Sequence, residues 1–302
     1  MTSRAEKRVS MLGIAALSLA GVAGIGGIAS VADAGQAPPQ PPRTPRAAAP
    51  IDLTGTWVAV ITEDWRFRMV VPSRGDYASV PLTDAARQVA DAWDPEKDKA
   101  AGNACKAYGV ANIMRMPTRI KVSWANDNTL RIETDAGKQV RTLNFASANV
   151  PVVRQELNNA TGGGAQAVRP DARNPVEDAQ AASNTAFASA MSGPRTLQGV
   201  SRAEWERSDL KVTTTHHTGG YLRRNGVPYS ENAQVTEYYY RYSAFGDEWL
   251  TVSTVVEDPV YLRQPFLTSS SFKKEANDSK WTPSDCVSEW GPLKQMGVDP
   301  FL

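Results

Sequence analysis

Short runs that alternate apolar and polar residues, joined by turn residues, constrain the fold of this chain most. RIKVSW (119–124), TLRIET (129–134) and QVRTLNF (139–145) are separated by ANDN and DAGK. Such runs are typical of half-buried strands, and Asn, Asp and Gly between them are typical of hairpin turns. Consecutive strands with connections this short pair antiparallel. This part of the chain therefore predicts an antiparallel sheet.

The C-terminal half continues the same pattern. Asn225-Gly226 is a strong turn signal within residues 210–230. Three further strands are predicted, at 233–243, 246–259 and 265–275. A meander of this many strands removes its exposed edges by closing on itself. We predict a mainly β fold in which an antiparallel meander closes into a barrel, as a single domain over residues 51–302.

One helix is expected soon after the first strand, within PLTDAARQVADAWDPEKD (81–98). Thr83 suits the N-cap, and Asp94-Pro95 should end the helix. Its apolar face is predicted from i, i+4, i+8 spacing to comprise Ala85, Val89 and Trp93. A second short helical piece is expected around residues 97–106.

The N-terminus has the pattern of an export signal. Basic residues at 4, 7 and 8 precede a run of apolar or small residues over 11–29, and Ala32 and Ala34 suit a signal-peptidase site. We predict a signal peptide over residues 1–34 and a periplasmic or secreted protein; an uncleaved membrane anchor is the alternative. The proline-rich residues 35–50 are predicted to be an extended tether.

Charge excludes some partners. The formal net charge is +1, and residues 1–34 contribute that charge through Arg4, Lys7 and Arg8 against Glu6 and Asp33. The remainder is therefore close to neutral. A nucleic-acid partner or an anionic membrane surface requires a basic face, so neither is expected, and membrane contact is expected only through the signal peptide.

The two cysteines, Cys105 and Cys286, are predicted to form one disulfide, because an even count in an exported protein reads most simply in that way. The alternative is a redox pair or a metal site. It lacks the CxxC spacing that such sites use, so no metal site is predicted.

Residues 148–196 interrupt the strand pattern with small and polar residues. The composition predicts a flexible insertion of the barrel, and a lid that orders over a ligand is the alternative. The following GVSRAEWE (199–206) indicates a turn or helix that leads back to the barrel.

The first strand carries a carboxylate on its apolar side. If residues 57–70 form one extended strand, the odd positions share a face that is apolar except at Glu63, whereas Asp64, Arg66 and Arg68 face outward. An inward carboxylate either pairs with a buried Arg or Tyr, or serves as an acid/base group or ligand anchor in a cavity. Both interpretations remain open.

The only two histidines are adjacent, in TTTHHTGGY (213–221). Alternation from Leu210 and Val212 predicts that His216 faces inward and His217 outward. Because adjacent strand residues do not converge, the pair is a poor metal site. His216 is either a core histidine bonded to a neighbour or an acid/base partner of Glu63.

Aromatic and basic side chains are plentiful around these positions. Together they would suit a small hydrophobic or aromatic ligand that also carries a carboxylate or carbonyl. Ordinary filling of strand faces is the alternative. The predicted ligand-binding residues are Trp57, Ile61, Trp65, Phe67, Tyr221, Arg223, Tyr229, Tyr238 and Tyr240.

DLTGTW (52–57) resembles the opening of lipocalins and related calycins, in which Gly-x-Trp, here Gly55 and Trp57, precedes the first barrel strand. The resemblance implies a lipocalin-like barrel, with Trp57 closing its floor and a late arginine, Arg241 or Arg263, packed on the Trp. WVAVITEDWRFRM and NGVPYSENA are also similar to segments of exported bacterial proteins. That second resemblance implies no chemistry.

Two functions follow most directly from these observations, and a structural or envelope-interaction role is the third possibility. The first is an exported binding protein with an apolar and aromatic barrel pocket for a small molecule. The second is a cofactor-free lyase, hydratase or isomerase that uses Glu63 and His216 as an acid/base pair. Nucleotide-binding, serine-hydrolase and zinc-protease motifs are absent from the sequence, so no cofactor is expected. The sequence leaves the oligomeric state undetermined.

Overall fold

The computed structural model describes residues 43–146 and 175–288 of the 302-residue chain. The predicted signal peptide (1–34), the tether up to residue 42 and the insertion up to residue 174 lie outside the described residues. The described residues form one compact unit. Among the described residues, no helix is both long and apolar enough to cross a membrane.

The described residues form eleven strands and four α-helices. The strands are β1 (Gly55–Val60), β2 (Arg119–Asn126), β3 (Thr129–Thr134), β4 (Val140–Asn144), β5 (Val200–Glu206), β6 (Asp209–Thr215), β7 (Gly220–Arg223), β8 (Val227–Tyr229), β9 (Gln234–Ala244), β10 (Asp247–Glu257) and β11 (Phe266–Lys274). The helices are α1 (Trp65–Arg68), α2 (Asp84–Asp91), α3 (Pro95–Ala100) and α4 (Pro175–Ser192). Two short 3-10 turns, Lys106–Tyr108 and Ile113–Arg115, precede β2.

Nine of these strands close into a barrel in the order β1-β11-β10-β9-β6-β5-β4-β3-β2. The predicted mainly β fold with a closed barrel and short helices is confirmed. One pair departs from the predicted meander: β4 and β5 are parallel, with Leu143 opposite Ser201. An odd number of strands cannot alternate in direction around a closed ring, so a nine-stranded barrel needs at least one parallel pair.

The connection between β4 and β5 contains a helix. A parallel pair requires a crossover, because the chain must return to the end from which the first strand started. Helix α4 makes this return: Gln180 donates a hydrogen bond to the Phe145 carbonyl just after β4, at 2.8 Å, and Gly193 contacts His216 beside the end of β6. The prediction of a flexible insertion is wrong for residues 175–192, where an alanine-rich sequence forms α4. Residues 200–206 form β5 instead of a turn or helix.

Helices α1 to α3 and the β7–β8 hairpin gather at one end of the barrel, where β1 ends and β2 begins, and we call it the capped end. These elements follow strands that finish at this end, or precede strands that start there. The Asn225-Gly226 turn joins β7 to β8, as predicted. A second apolar cluster, with Leu82, Ala86, Leu222 and Val227 at its centre, packs the cap together.

The predicted apolar face of the first helix is wrong at Ala85 and Val89, which are exposed, whereas Trp93 just after the helix is buried. Thr83 is the N-cap and accepts a hydrogen bond from the Ala86 amide at 3.2 Å, as expected. However, α2 buries Ala86 and Ala90, whereas Val89 is 41% exposed. The cap packs on the side of α2 that carries the small alanines, which allows the β7–β8 hairpin to approach closely. Asp94 then caps α3 as a separate helix.

The barrel interior is filled. Large apolar side chains from all sides meet in it, among them Trp57, Ile120, Leu130, Leu210, Leu250 and Phe272. Near the capped end one ion pair is enclosed with them: the Arg141 Nη1 atom lies 3.0 Å from Glu237 Oε1, and both side chains are at most 1% exposed. Burial alone would lower the pKa of Arg141, but the adjacent Glu237 carboxylate outweighs burial and raises it. The interior therefore stabilises the fold without leaving a wide lumen.

Trp57 lies at the opposite, lower end of the barrel and is fully buried. Its indole N–H donates to the Leu53 carbonyl at 2.9 Å. The expected late arginine is wrong in identity: the Lys274 ammonium lies 5.2 Å from the Trp57 ring, whereas Arg241 donates to the Asp52 carbonyl and Arg263 pairs with Asp84. Strand β11 is the direct neighbour of β1, which places Lys274 opposite Trp57 in register.

The chain just before β1 also contacts the lower end. The Pro45 carbonyl accepts a hydrogen bond from the Trp205 indole at 2.8 Å, and the Arg46 amide donates to the Asp127 carbonyl at 3.1 Å. Residues 43–50 of the predicted tether are thus attached to the barrel.

Cys105 and Cys286 form a disulfide across 181 residues, as predicted. The bond ties the segment after β11 to the 3-10 turn at Lys106–Tyr108 in the cap. It therefore joins the C-terminal part of the described chain to the capped end.

Candidate anion-binding site

The first strand ends earlier than the sequence predicts. Strand β1 stops at Val60, and the single strand expected over 57–70 is wrong. Asp64 adopts a left-handed backbone conformation, with φ of 50°, and α1 begins directly after it. Helical geometry replaces the expected alternation, so Arg68 becomes buried and Trp65 is 61% exposed. The charges around Glu63 that suggested an exposed strand face meet partners from other parts of the cap.

Four buried arginines meet beneath this segment, and we call them the arginine cluster: Arg68, Arg115, Arg223 and Arg224. Each is only 2–3% exposed. Arg68 ends α1, Arg115 ends the 3-10 turn before β2, and the other two lie at the turn of the β7–β8 hairpin. Fully buried arginines are rare unless paired, so four in one region require an explanation.

Two carboxylates and two carbonyls hold part of the cluster. Glu63 Oε1 accepts from Arg68 Nη1 at 2.6 Å, and Asp64 Oδ2 accepts from Arg115 Nη2 at 3.1 Å. Arg68 Nε donates to the Arg115 carbonyl at 2.8 Å, and Arg224 donates to the Arg68 carbonyl. These contacts link α1, the 3-10 turn and the hairpin into one site.

Arg223 is different. Its guanidinium carbon lies 3.8 Å from the centroid of the Phe67 ring, which gives it a cation–π contact. Within the described residues, none of its three guanidinium nitrogens has a hydrogen-bond partner. Arg68 Nη2 and Arg115 Nη1 are also unbonded there. Five buried nitrogen donors are therefore left for another acceptor.

The electrostatics agree with this deficit. Burial and, to a smaller extent, the nearby Arg115 cation lower the pKa of Arg223 to about 10. Burial also lowers the pKa of Arg224 to about 10. For Arg68 and Arg115, burial lowers the pKa while Glu63 and Asp64 oppose the shift. All four stay protonated near neutral pH, so the site holds buried positive charge that an anion would stabilise.

The two histidines exchange their predicted orientations. Strand β6 ends at Thr215, and His216 has a φ of 57°, which breaks the alternation. His217 is therefore the fully buried one. Its Nε2 donates to the Ala233 carbonyl at 2.8 Å, and its Nδ1 accepts from the Gly219 amide at 3.2 Å. The predicted inward position of His216 is wrong: the ring is half-buried and bonded to the Gly193 carbonyl at 2.7 Å.

The predicted aromatic lining is divided among three places. Tyr221 and Tyr229 lie in the cap, where Tyr221 donates to Asp98 at 2.7 Å and Tyr229 is buried. Tyr238 and Tyr240 are 36% and 50% exposed on the outer face of β9, so their predicted inward position is wrong. Tyr239 points inward instead. Ile61 and Phe67 are half-buried.

A small cavity lies beside Arg224. Its volume is about 10 Å³, roughly enough for one water molecule. Its walls include Trp93, Asp98 and Tyr221. Asp98 is already bonded to Tyr221, the Trp93 indole and Lys106, so the cavity is a packing gap in the cap.

Sequence reasoning selected Arg223, Phe67 and Glu63 but assigned them to a barrel lumen. It missed Arg115 altogether, and it placed Arg68 outside. The sequence feature that could have indicated these buried arginines is arginine within apolar runs, as in NIMRMP (112–117) and GYLRRNG (220–226). An arginine flanked by methionine on both sides is out of place on a solvated surface.

No protein-family model matches the chain, and neither a curated protein nor a solved structure is significantly similar to it. The closed barrel is compatible with a lipocalin-like fold, although lipocalins have eight strands and this barrel has nine. Over residues 43–146 and 175–288, no group of three or more His, Cys, Asp or Glu side chains is placed to hold a metal ion.

Proposed function

We propose that this protein binds a small organic anion at the capped end of its barrel, with the arginine cluster as the anion-recognising element. The observation that carries the proposal is Arg223. It is 2% exposed, stacked on Phe67 and without a hydrogen-bond acceptor among the described residues. Buried guanidinium groups recognise carboxylates and phosphates through paired N–H donors.

Stability alone does not account for such a residue. A buried charge without a partner costs several kcal/mol, and a hydrophobic side chain of similar volume often stabilises a protein in its place. Proteins retain costly buried groups of this kind mainly where function needs them. Arg223 is therefore better explained by an anion that binds than by the fold.

The capped end is also the better location on packing grounds. Trp57, Phe272 and the Arg141–Glu237 pair occupy the barrel interior, which leaves little space for a ligand. At the capped end, Phe67 and Phe266 place aromatic surface next to Arg223 and Arg115. The ligand we expect is thus a small molecule with an apolar or aromatic body and an anionic group.

The alternative of a Glu63/His216 acid/base enzyme receives less support. Glu63 is bonded to Arg68, and His216 is bonded to the Gly193 carbonyl. These partners neither hold the two side chains against each other nor leave either one unbonded for proton transfer. Binding by the arginine cluster requires no change in these contacts except at Glu63.

We further propose that the protein acts outside the cytosol. The disulfide between Cys105 and Cys286 supports this, because such bonds persist in oxidising compartments. A periplasmic or secreted binding protein combines this compartment with the proposed site.

The test is calorimetric titration of the full-length protein with benzoate and, separately, with inorganic phosphate. We expect saturable binding of at least one anion, weakened roughly tenfold or more in Arg223→Met, because a charged hydrogen bond contributes about 1.5–3 kcal/mol. The matched control is Arg263→Met, which removes an exposed arginine paired with Asp84. Equal binding by the two variants, or no binding by the wild type, would rule the site out.

A further inference from the structure

We infer that the Glu63-Asp64 turn is a built-in carboxylate competitor for the arginine cluster, and that the ligand which displaces it is a small carboxylate. The inference rests on the proposed anion-binding function. It goes further by naming the class of ligand and the protein group that leaves the site when the ligand enters.

The first step is that both acids already act as the site's anions. Glu63 and Asp64 are consecutive residues, and each carboxylate contacts the nearest arginine through one of its terminal nitrogens, Arg68 Nη1 and Arg115 Nη2 respectively. The second terminal nitrogen of each arginine is unbonded within the described residues. The turn therefore engages one of the two terminal nitrogens of each guanidinium and leaves the other without an acceptor among the described residues, as an incompletely fitting substitute ligand does.

The second step concerns charge. The four arginines of the cluster contribute four positive charges, against the two carboxylates of the turn. Arg66 and Asp76, next to them, neutralise each other as a pair. The cluster therefore keeps an excess of positive charge while the turn is bound, and displacement of the turn increases that excess. Charge thus favours an anion over a neutral ligand, and the class of anion is decided by shape.

The third step concerns shape. Because the face of the Arg223 guanidinium is covered by Phe67, its N–H edge is the part left to bind a ligand. A planar carboxylate accepts two parallel hydrogen bonds from such an edge, and its remaining lone pairs suit the free nitrogens of Arg68 and Arg115. An aromatic or apolar body would then pack against Phe67.

The fourth step is that the turn can leave. Asp64 is held in the left-handed region, and its side chain is 43% exposed at the rim of the site. Helix α1 has only four residues and is closed by the Phe67 and Met69 amides, which donate to the Asp64 and Trp65 carbonyls. Trp65 and Met69 on its outer side are exposed. Outward movement of residues 63 and 64 alone leaves Phe67 and Arg68 in place, because the hairpin and the 3-10 turn hold those two residues.

The experiment compares benzoate, phosphate and sulfate binding to wild type, Asp64→Asn and the control Asp84→Asn. Asparagine tolerates the left-handed backbone of position 64, so the fold is kept. We expect benzoate to bind more tightly than phosphate or sulfate. We also expect Asp64→Asn to strengthen benzoate binding on the order of two- to fivefold, the range of a partly exposed ion pair, and Asp84→Asn to leave it unchanged.

Hydrogen exchange separates displacement of the turn from a simple change in charge. On benzoate binding, the amides of Phe67 and Arg68 should exchange faster in the wild type, because the turn that holds them opens. Unchanged or slower exchange there, unchanged affinity in Asp64→Asn, or tighter binding of phosphate would overturn the inference. Each of these results still leaves Arg223-dependent binding intact. Failure of the proposed function itself is instead recognised by the absence of any Arg223-dependent binding.

Discussion

Arg223 and Phe67 form a buried cation–π pair in which the guanidinium carbon lies 3.8 Å from the ring centroid, with no described residue accepting a hydrogen bond from the guanidinium. A cation–π contact returns about 0.5–2 kcal/mol, less than the cost of removing an arginine from water. The unliganded cap is therefore under electrostatic strain. Measurements of the free energy of unfolding can therefore test whether Arg223 serves binding or the fold.

Arg223→Met should raise the stability of the unliganded protein, by roughly 1–3 kcal/mol, because it replaces a buried charge with an apolar side chain of similar length. The measurement is the urea concentration at the midpoint of unfolding, compared between variants that have the same m-value. The same variant should lose the increase in melting temperature that benzoate causes in wild type. If instead Arg223→Met is destabilised, the arginine has a structural role that the described contacts do not reveal.

At the Arg141–Glu237 pair we expect the opposite effect, because removal of one charge should lower stability. Glu237→Gln should destabilise the protein by about 3–5 kcal/mol, because it leaves Arg141 charged and unpaired in the barrel interior. The double variant Arg141→Met/Glu237→Leu removes both charges and should recover most of that loss. Urea unfolding of the wild type, single variant and double variant forms the comparison. Equal losses in the single and double variants would show that packing, and not charge, dominates at this position.

Loss of the disulfide should lower stability by about 5 kcal/mol, as expected from loop entropy for a bond that closes 181 residues. The double variant Cys105→Ser/Cys286→Ser, compared with oxidised wild type by chemical unfolding, measures this. Reduced wild type serves as the control and should match the double variant. A loss well below 2 kcal/mol would indicate that the unfolded chain is already compact near these residues.

His217 predicts a specific pH dependence. Burial lowers its pKa below the usual 6.5, although its bond to the Ala233 carbonyl opposes the shift. Below pH 6.5 the unfolded chain takes up the proton first, so stability should decline from pH 6.5 down to the lowered pKa of the folded state. Well above pH 6.5 His217 is neutral in both the folded and the unfolded state, so it contributes no pH dependence to the free energy of unfolding.

The check is a melting-temperature series between pH 8 and pH 5, in which His217→Gln should show a smaller decline than wild type. Arg195, Glu231 and Asp258 also act electrostatically on His217. Glu231→Gln is therefore the control for their contribution. An identical decline in His217→Gln and wild type would assign the acid sensitivity to other groups.

The sequence predicted the barrel well because alternation and turn residues are local signals. The strands at 119–124 and 129–134 and the Asn225-Gly226 turn lie where local chemistry placed them. Predictions failed where tertiary contacts override the local pattern. The run after Val60 alternates like a strand, but Glu63 and Asp64 find partners on Arg68 and Arg115, and the chain turns to meet them.

The same reason explains the partial prediction of the site. Arg223 and Glu63 drew attention as charges within apolar surroundings, yet alternation placed them in a lumen that is filled. Alternation predicted that His216 would face inward, but the left-handed backbone of His216 turns the side chain of His217 inward instead. One such residue reverses every inward and outward assignment that follows it, and its position depends on contacts that the local sequence does not encode.

The parallel pairing of β4 and β5 links the number of strands to the length of the connection between them. A nine-stranded ring needs this pair, and the pair needs a segment that climbs from the end of β4 back to the start of β5, as α4 does over about 20 Å between Gln180 and Gly193. A deletion that shortened this connection to a hairpin turn would therefore leave no viable nine-stranded barrel. Strand and crossover can therefore be added or removed only together, and an all-antiparallel, eight-stranded barrel is the simplest topological neighbour of this fold.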